Sequence, residues 1–344
     1  MRYGAIATTI TERVAFASGR VPVPLLDAVF GLMKTRAIMA GVSLGVFEAL
    51  RDAAHSPAEL ASQLGLDRDV LELLLRMLVV SDYLVQRGER FALSRLARKT
   101  VLIGAPMQMV GYLRFNYAQW EFFEHLEELV RTGRGRDFHH TMTDAARWGD
   151  YQLGMLELAR IESPIVAKRV RVPRGAVSLL DVAGSHGLFG AAICRKHPPM
   201  HSTVLELEQA IPHARALAAE EGLSDIVAHQ EGDVLVSDLG RHDVVLLFNI
   251  LHHFSENDVA SIVRRSYDAL RDDGTVAIWE LQAPRKGACV TSGDGAALFF
   301  RLTSTAGAYH GDAYAGWLRQ AGFSDVTVTR PTASLGKVLV TGRR

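Results

Sequence analysis

Two hydrophobic periods divide the chain. Up to about Val172 the apolar residues recur at helical spacing, and beyond Gly175 they come in short continuous runs bounded by turn residues. In the first regime, residues 25–50 (LLDAVFGLMKTRAIMAGVSLGVFEAL) carry only Asp27, Lys34, Arg36 and Glu48 as charges. That pattern predicts two helices buried on most faces, as at a dimer interface. In HSPAELASQLGLDRDVLELLLRMLVV, Ser56, Pro57 and Glu59 supply a cap, a first-turn proline and a capping-box glutamate, so a helix is predicted to start at Pro57 and to end at Gly65. Asp67 then caps a second helix carrying Val70, Leu71, Leu74, Leu75 and Leu78, and YLVQRGERFALS reads as two short strands around Arg87-Gly88-Glu89. Helix, turn, helix, hairpin is a winged-helix pattern.

From Pro106 to about Val172 the pattern stays helical, with WEFFEHLEELVRTG an amphipathic segment and YQLGMLELARIESPIVAKRV a further helix leading to the turn Val172-Pro173-Arg174-Gly175. After that turn, buried strands are predicted at 177–183, 202–207, 225–233, 243–249, 275–281, 325–331 and 337–342. Helical stretches separate the first five, which makes a parallel sheet covered on both faces. The last two are joined by too few residues for a parallel crossover and are therefore antiparallel. The division expected is 1–105 for the helical, winged-helix part, 106–175 for a helical linker and pocket region, and 176–344 for the α/β domain.

Composition narrows the possible functions. Lys plus Arg and Asp plus Glu both number 38, so there is no basic field for a phosphate backbone. The second helix of the winged-helix pattern sets Arg68 and Arg76 against Asp67, Asp69 and Glu72 and is otherwise mostly leucine, unlike a groove-reading helix. Nucleic acid is not an expected partner, and packing or dimerisation is the stronger reading of this module. The longest uncharged central run, 100–113, is interrupted by Pro106 and too short to span a bilayer. Cys194 and Cys289 lack metal-ligand spacing, and no signal peptide is visible, so a soluble cytoplasmic protein is expected. The pair His139-His140 has no third ligand at useful spacing and reads as a solvated loop, so no metal is expected.

In an open parallel sheet, ligands bind beyond the carboxyl ends of the strands, where strand order reverses. The first strand of the α/β part ends DVAGSHGLFG, with Asp181 followed by Gly184 and Gly187, where the backbone can turn sharply and approach a ligand. The second ends at Glu206, 25 residues beyond Asp181, the place of an acid that receives ribose hydroxyls. The third ends at Gly232-Asp233, positioned for an adenine amine. Singly, such residues are also helix caps or surface charges; in series they point to a nucleoside. Glycines at 184, 187 and 190 give G-x-x-G-x-x-G, not the dinucleotide fingerprint G-x-G-x-x-G. The fourth strand runs into His252 and His253, and strand alternation would let only one of them face the cleft. An imidazole titrates near neutrality and suits a general base, while a histidine at a strand end also serves as a helix cap or as core. Glu280 ends the neighbouring strand, where a carboxylate can orient His252.

These motifs resemble the class I S-adenosylmethionine-dependent methyltransferases. DVAGSHG is similar to that fold's D-V-G-G-G-x-G loop, GDV to its G-D-hydrophobic motif, and ILHHFSENDV with SYDALRDDGTVAIWE to the catalytic segment of the caffeate-type small-molecule O-methyltransferase family. The likeness covers nearly the whole chain, because that family carries an N-terminal winged-helix dimerisation domain. It implies a Rossmann-like α/β sheet, parallel with a C-terminal antiparallel hairpin, and a homodimer. It also implies S-adenosyl-L-methionine as cofactor, held by Asp181, Ala183, Gly184, Glu206, Asp233 and Val234. His252 falls at the place of the family's base, with Glu280 beside it; Tyr151 and Met155 match positions that face the acceptor, and Trp120, Phe299 and Phe300 are further candidates. The expected activity is O-methylation of a small hydroxylated, aromatic or polyketide-like metabolite.

The sequence departs from the family at several places. Ala183 and Ser185 replace glycines, Phe248 stands where plant members carry a lysine near the adenine, and His253 replaces an aspartate. The family's second glutamate has no counterpart, its neighbourhood being occupied by Tyr309 and His310. That loss keeps a second reading open, with methyl transfer to carbon or nitrogen, or hydroxylation or decarboxylation on a retained cofactor. A third reading is a regulatory winged-helix binder whose nucleotide domain acts as a sensor.

Overall fold

A computed structural model describes residues 5–136, 142, 144–283, 287, 292–304, 306–331 and 336–344. His139, His140, Cys289 and the turn before Gly336 lie outside the described residues. The chain forms two compact units that divide between Ala118 and Gln119.

The first unit is helical with one hairpin. The Ser56 hydroxyl accepts from Glu59 N–H and the Glu59 carboxylate accepts from Ser56 N–H, so the capping box starts the Pro57–Leu64 helix as expected. Gly65, at φ 67°, ends it in the left-handed conformation that favours glycine. Asp67 caps the Arg68–Val80 helix, whose Leu71, Leu75 and Leu78 are buried. Strands β1 (Leu84–Arg87) and β2 (Arg90–Leu93) pair antiparallel.

The segment expected to form two buried helices is instead a single helix, Val23–Ser43, followed by one short turn of helix, Val46–Ala49. Its N-terminal half is exposed: Leu25 is 64%, Phe30 55% and Met33 53% accessible. The hydrophobic pattern is helical, but among the described residues that face is left uncovered. The amphipathic segment at 120–133 is likewise interrupted, forming helices at Trp120–Phe123 and Leu126–Thr132.

The second unit is built on a seven-stranded sheet of order β5-β4-β3-β6-β7-β9-β8. Its strands are β3 (Ser178–Val182), β4 (His201–Glu206), β5 (Val227–Glu231), β6 (His242–Phe248), β7 (Leu270–Leu281), β8 (Ser324–Thr329) and β9 (Lys337–Arg343). Five neighbouring strands run parallel, while β9 is antiparallel to both β7 and β8, the closing hairpin that the sequence predicts. Two apolar layers cover the sheet. One gathers Leu179, Leu246, Ala277 and Trp279 with Leu156 and Val166, and the other gathers Leu180, Val245 and Ile278 with Ile262, Tyr314 and Leu318. The Ala145–Val166 helix is pinned to the sheet by a hydrogen bond from Trp279 Nε1 to Glu162 at 2.8 Å. Phe248 lies in the first layer, edge-on to Phe189 with ring centroids 5.4 Å apart, and is part of the core.

Chain order fixes where a ligand can sit. From β3 the chain moves outward to β4 and β5, then returns across β3 to β6, so the reversal falls between β3 and β6, and the carboxyl ends of these strands open on one crevice.

Candidate functional site

A cavity of about 280 Å³ occupies that crevice, lined among others by Val182 and Ala183 after β3, Glu206 at the end of β4, Asp233 and Val234 after β5, and Asn249 after β6. Of the predicted site residues, Ala183, Glu206, Asp233, Val234 and Tyr151 line this cavity. Asp181, on β3, and Gly184, in the glycine loop, are not among its lining residues, nor are Met155, His252 and Glu280.

The loop is shaped for close approach. A Cβ at Gly184 would lie 2.4 Å from the Asp181 carboxyl carbon, and one at Gly187, itself at φ 74°, would lie 2.6 Å from Val227. Ala183 and Ser185 both adopt positive φ, 52° and 50°, a strained conformation for residues with side chains. His186 is buried; its Nδ1 accepts from Leu188 N–H at 3.0 Å, its ring is also hydrogen-bonded to the Met155 backbone, and burial lowers its pKa to about 3. It is a neutral structural tie.

The carboxylates here are buried without full compensation. Asp181 accepts one long bond, from Gly190 N–H at 3.3 Å, and its other oxygen has no partner. Burial pushes its pKa up to about 7. Glu206 accepts from Ser185 N–H at 3.1 Å and Leu207 N–H at 3.0 Å, yet burial also raises it to about 7. Asp233 Oδ1 accepts from Leu235 N–H at 2.8 Å. Three acidic residues, Glu206, Asp233 and Asp258, thus line the cavity beside apolar residues such as Val182 and Leu205 and the polar Gln152 and Asn249. Such a donor set fits S-adenosylmethionine, which brings ribose hydroxyls to be accepted and positive charge to be balanced.

The two histidines leave the strand before they can alternate. Leu251–His253 form a 3₁₀ turn, so the residues fan out around a helix axis and the expected alternation does not apply. His252, 4% accessible, turns inward: its Nδ1 lies 2.7 Å from Glu280 Oε2. A carboxylate only accepts, so Nδ1 is the donor in this hydrogen bond. The other oxygen of Glu280, a fully buried residue, accepts from Ile250 N–H at 2.8 Å and Leu251 N–H at 2.7 Å. His253 instead lines the cavity, its ring 4.1 Å from that of His252.

On its other face His252 meets Phe300, ring centroids 4.0 Å apart, and an aromatic series continues through Phe299, Phe123 and Trp120 at about 6 Å spacings. Tyr309 and His310, which occupy the place of the missing second carboxylate, are engaged elsewhere. The Tyr309 hydroxyl donates to the Phe254 carbonyl at 2.7 Å, and His310 caps the Gly311–Gln320 helix. Trp148, Gln152, Asn249, Ile250, His253, Phe254 and Asp258 line the cavity and were not expected. Of these, Asn249 was within reach, being a polar residue that ends a buried strand at φ 55°. Among the described residues no cluster of His, Cys, Asp and Glu could hold a metal ion, and no helix is long and apolar enough to cross a membrane.

Comparison with known proteins gives a consistent result. Residues 123–324 match the O-methyltransferase domain family and residues 26–101 the O-methyltransferase dimerisation domain. A 3-hydroxy-5-methyl-1-naphthoate 3-O-methyltransferase of Streptomyces sahachiroi is 29% identical over 90% of this chain and 91% of its own. An aclacinomycin 10-hydroxylase of Streptomyces purpurascens is 29% identical over 80% of this chain and 75% of its own. The structure of human N-acetylserotonin methyltransferase with S-adenosylmethionine superposes with a TM-score of 0.83 at 18% identity, covering 99% of both chains.

Proposed function

The chain belongs to the O-methyltransferase family, and from that premise we propose how its residues divide the work of an S-adenosylmethionine-dependent methyltransferase. The cofactor supplies a methyl group already activated on a sulfonium sulfur, so the protein's task is to align, to exclude water and to take up one proton. In this reading Glu206 receives the ribose hydroxyls, Asp233 the adenine amine, and the Ala183–Gly184 backbone, with Asp181 behind it, the remainder. His252 accepts the acceptor's proton at Nε2, while Glu280 keeps Nδ1 protonated and balances the imidazolium. The observation that carries the assignment is the buried 2.7 Å His252–Glu280 pair, both of whose carboxylate oxygens are engaged.

The acceptor is a small hydroxylated aromatic or polyketide-like metabolite. The aromatic series beginning at Phe300 supports a flat, apolar ring beside His252, as does a relative whose acceptor is a hydroxynaphthoate. Tyr151 and Met155, within the helical 106–175 region, are assigned to the acceptor as well; Tyr151 shares a wall with Glu206 and so would stand at the junction with the cofactor. The protein acts as a cytoplasmic homodimer. The uncovered Leu26, Phe30 and Met33 face within the matched dimerisation domain supports the dimer.

Replacing His252 by Ala should lower the transfer rate by about 10²–10⁴-fold while leaving affinity for S-adenosylhomocysteine unchanged. An unaltered rate would rule His252 out as the base. A second reading draws on the single carboxylate at His252 and on the hydroxylase relative: transfer to carbon or nitrogen, or hydroxylation. Mass analysis of product made from methyl-labelled cofactor separates the two.

A further inference from the structure

The loop between β3 and the Leu188–Cys194 helix holds a backbone that its side chains oppose, with Ala183 and Ser185 both left-handed. A conformation of this kind persists only where its surroundings impose it. His186 does so from one side, tied to Leu188 N–H and to the Met155 backbone. The opposite side is held from β5. There His229 Nε2 lies 2.8 Å from the Ser185 carbonyl oxygen. A carbonyl only accepts, so Nε2 is the protonated nitrogen and donates. The N–H of the same Ser185 donates to Glu206 at 3.1 Å. His229 is only partly buried and is not among the cavity-lining residues, so it would touch no ligand.

We propose that His229 is a positioning residue for the cofactor: by holding the Ser185 carbonyl it sets the Ser185 N–H, and through it the Glu206 carboxylate, in the orientation that receives the ribose hydroxyls. The inference rests on the assignment of Glu206 to the ribose. It accounts for two side-chain-bearing residues at positive φ where glycines would be unstrained, because an external donor takes over the task of keeping the loop in place.

The test is calorimetric titration with S-adenosylhomocysteine, together with steady-state kinetics. The His229→Ala substitution removes one donor from a partly exposed position and leaves the β4–β5 backbone pairing intact. It should raise Kd about tenfold and KM for S-adenosylmethionine by a similar factor, with kcat at saturation unchanged. His229→Gln, whose amide N–H reaches about as far as Nε2, should restore most of the affinity. In a Ser185→Gly background, where the strain at position 185 is relieved, the His229→Ala penalty should shrink. Affinity in His229→Ala equal to that of the wild type, or a fall in kcat at constant KM, overturns the proposal. So does a His229→Gln protein as weak as His229→Ala, which would mark a packing role alone. Wild-type affinity in Glu206→Gln would overturn the ribose assignment along with it, whereas wild-type affinity in His229→Ala alone overturns only the role of His229.

Discussion

Two buried carboxylates on the same sheet edge are treated in opposite ways. Glu280, near the carboxyl end of β7, is inaccessible to solvent and has both oxygens engaged by two backbone N–H groups and an imidazole. Asp181, on β3, is equally deep, yet it holds one long bond and has an oxygen without a partner. Burying a polar group costs free energy unless it is paired, so Glu280 reads as complete within the protein and Asp181 as waiting for something. In the proposed reading the sheet has a finished half, which holds the base His252, and an unfinished half, where the cofactor binds.

The largest effect should come from disturbing the finished half. In Glu280→Gln, the amide oxygen still satisfies the two backbone donors, but its NH₂ faces His252 Nδ1 and favours the tautomer with the proton on Nε2. Transfer should fall by about 10²–10⁴-fold with the fold and cofactor affinity retained. A rate near that of the wild type would mean that Glu280 is only a backbone tie. Glu280→Ala, which strands three buried donors, should also lose about 3–5 kcal/mol of stability, read from denaturant midpoints.

The unfinished half should respond in affinity. Glu206→Gln removes a charged acceptor and should weaken S-adenosylhomocysteine by about 10–100-fold in calorimetry, with kcat at saturation much less affected. Its pH dependence has a definite sign. Burial raises Glu206 from 4.5 to about 7, so without ligand the ionised form is disfavoured, and the related stability is present below about 4.5 and lost as pH rises through about 7. Ligand hydroxyls donate to the ionised form, so affinity should rise with pH through the same window and flatten above it. The smallest effect concerns loop strain. Ala183→Gly should leave the rate unchanged and stabilise the free protein by roughly 0.5 kcal/mol, detectable as a small rise in Tm.

The same division explains what the sequence reveals. Strand tips lie in runs of local pattern, so Asp181, Glu206, Asp233 and Glu280 can be read from where each apolar run stops. The capping box at Ser56–Glu59 and the antiparallel hairpin are equally local. What pattern does not carry is contact between distant residues. His229 faces Ser185 from 44 positions away, and Lys337 of β9 reaches Asn249 and Glu162 across the sheet. The 3₁₀ turn at Leu251–His253 breaks strand alternation within a single step, which is why His253 and not His252 lines the cavity. The exposed Leu25, Phe30 and Met33 are a third case: their hydrophobicity is plain in the sequence, but pattern alone does not say that the described residues leave them uncovered.

The most direct measurement is titration of the wild-type protein with S-adenosylhomocysteine near pH 7 in buffers of different ionisation enthalpy. Completion of Glu206 by ligand predicts measurable binding, net proton release and an affinity that grows from pH 6 to pH 8. Absence of binding, or an affinity that falls as pH rises over that interval, would contradict it.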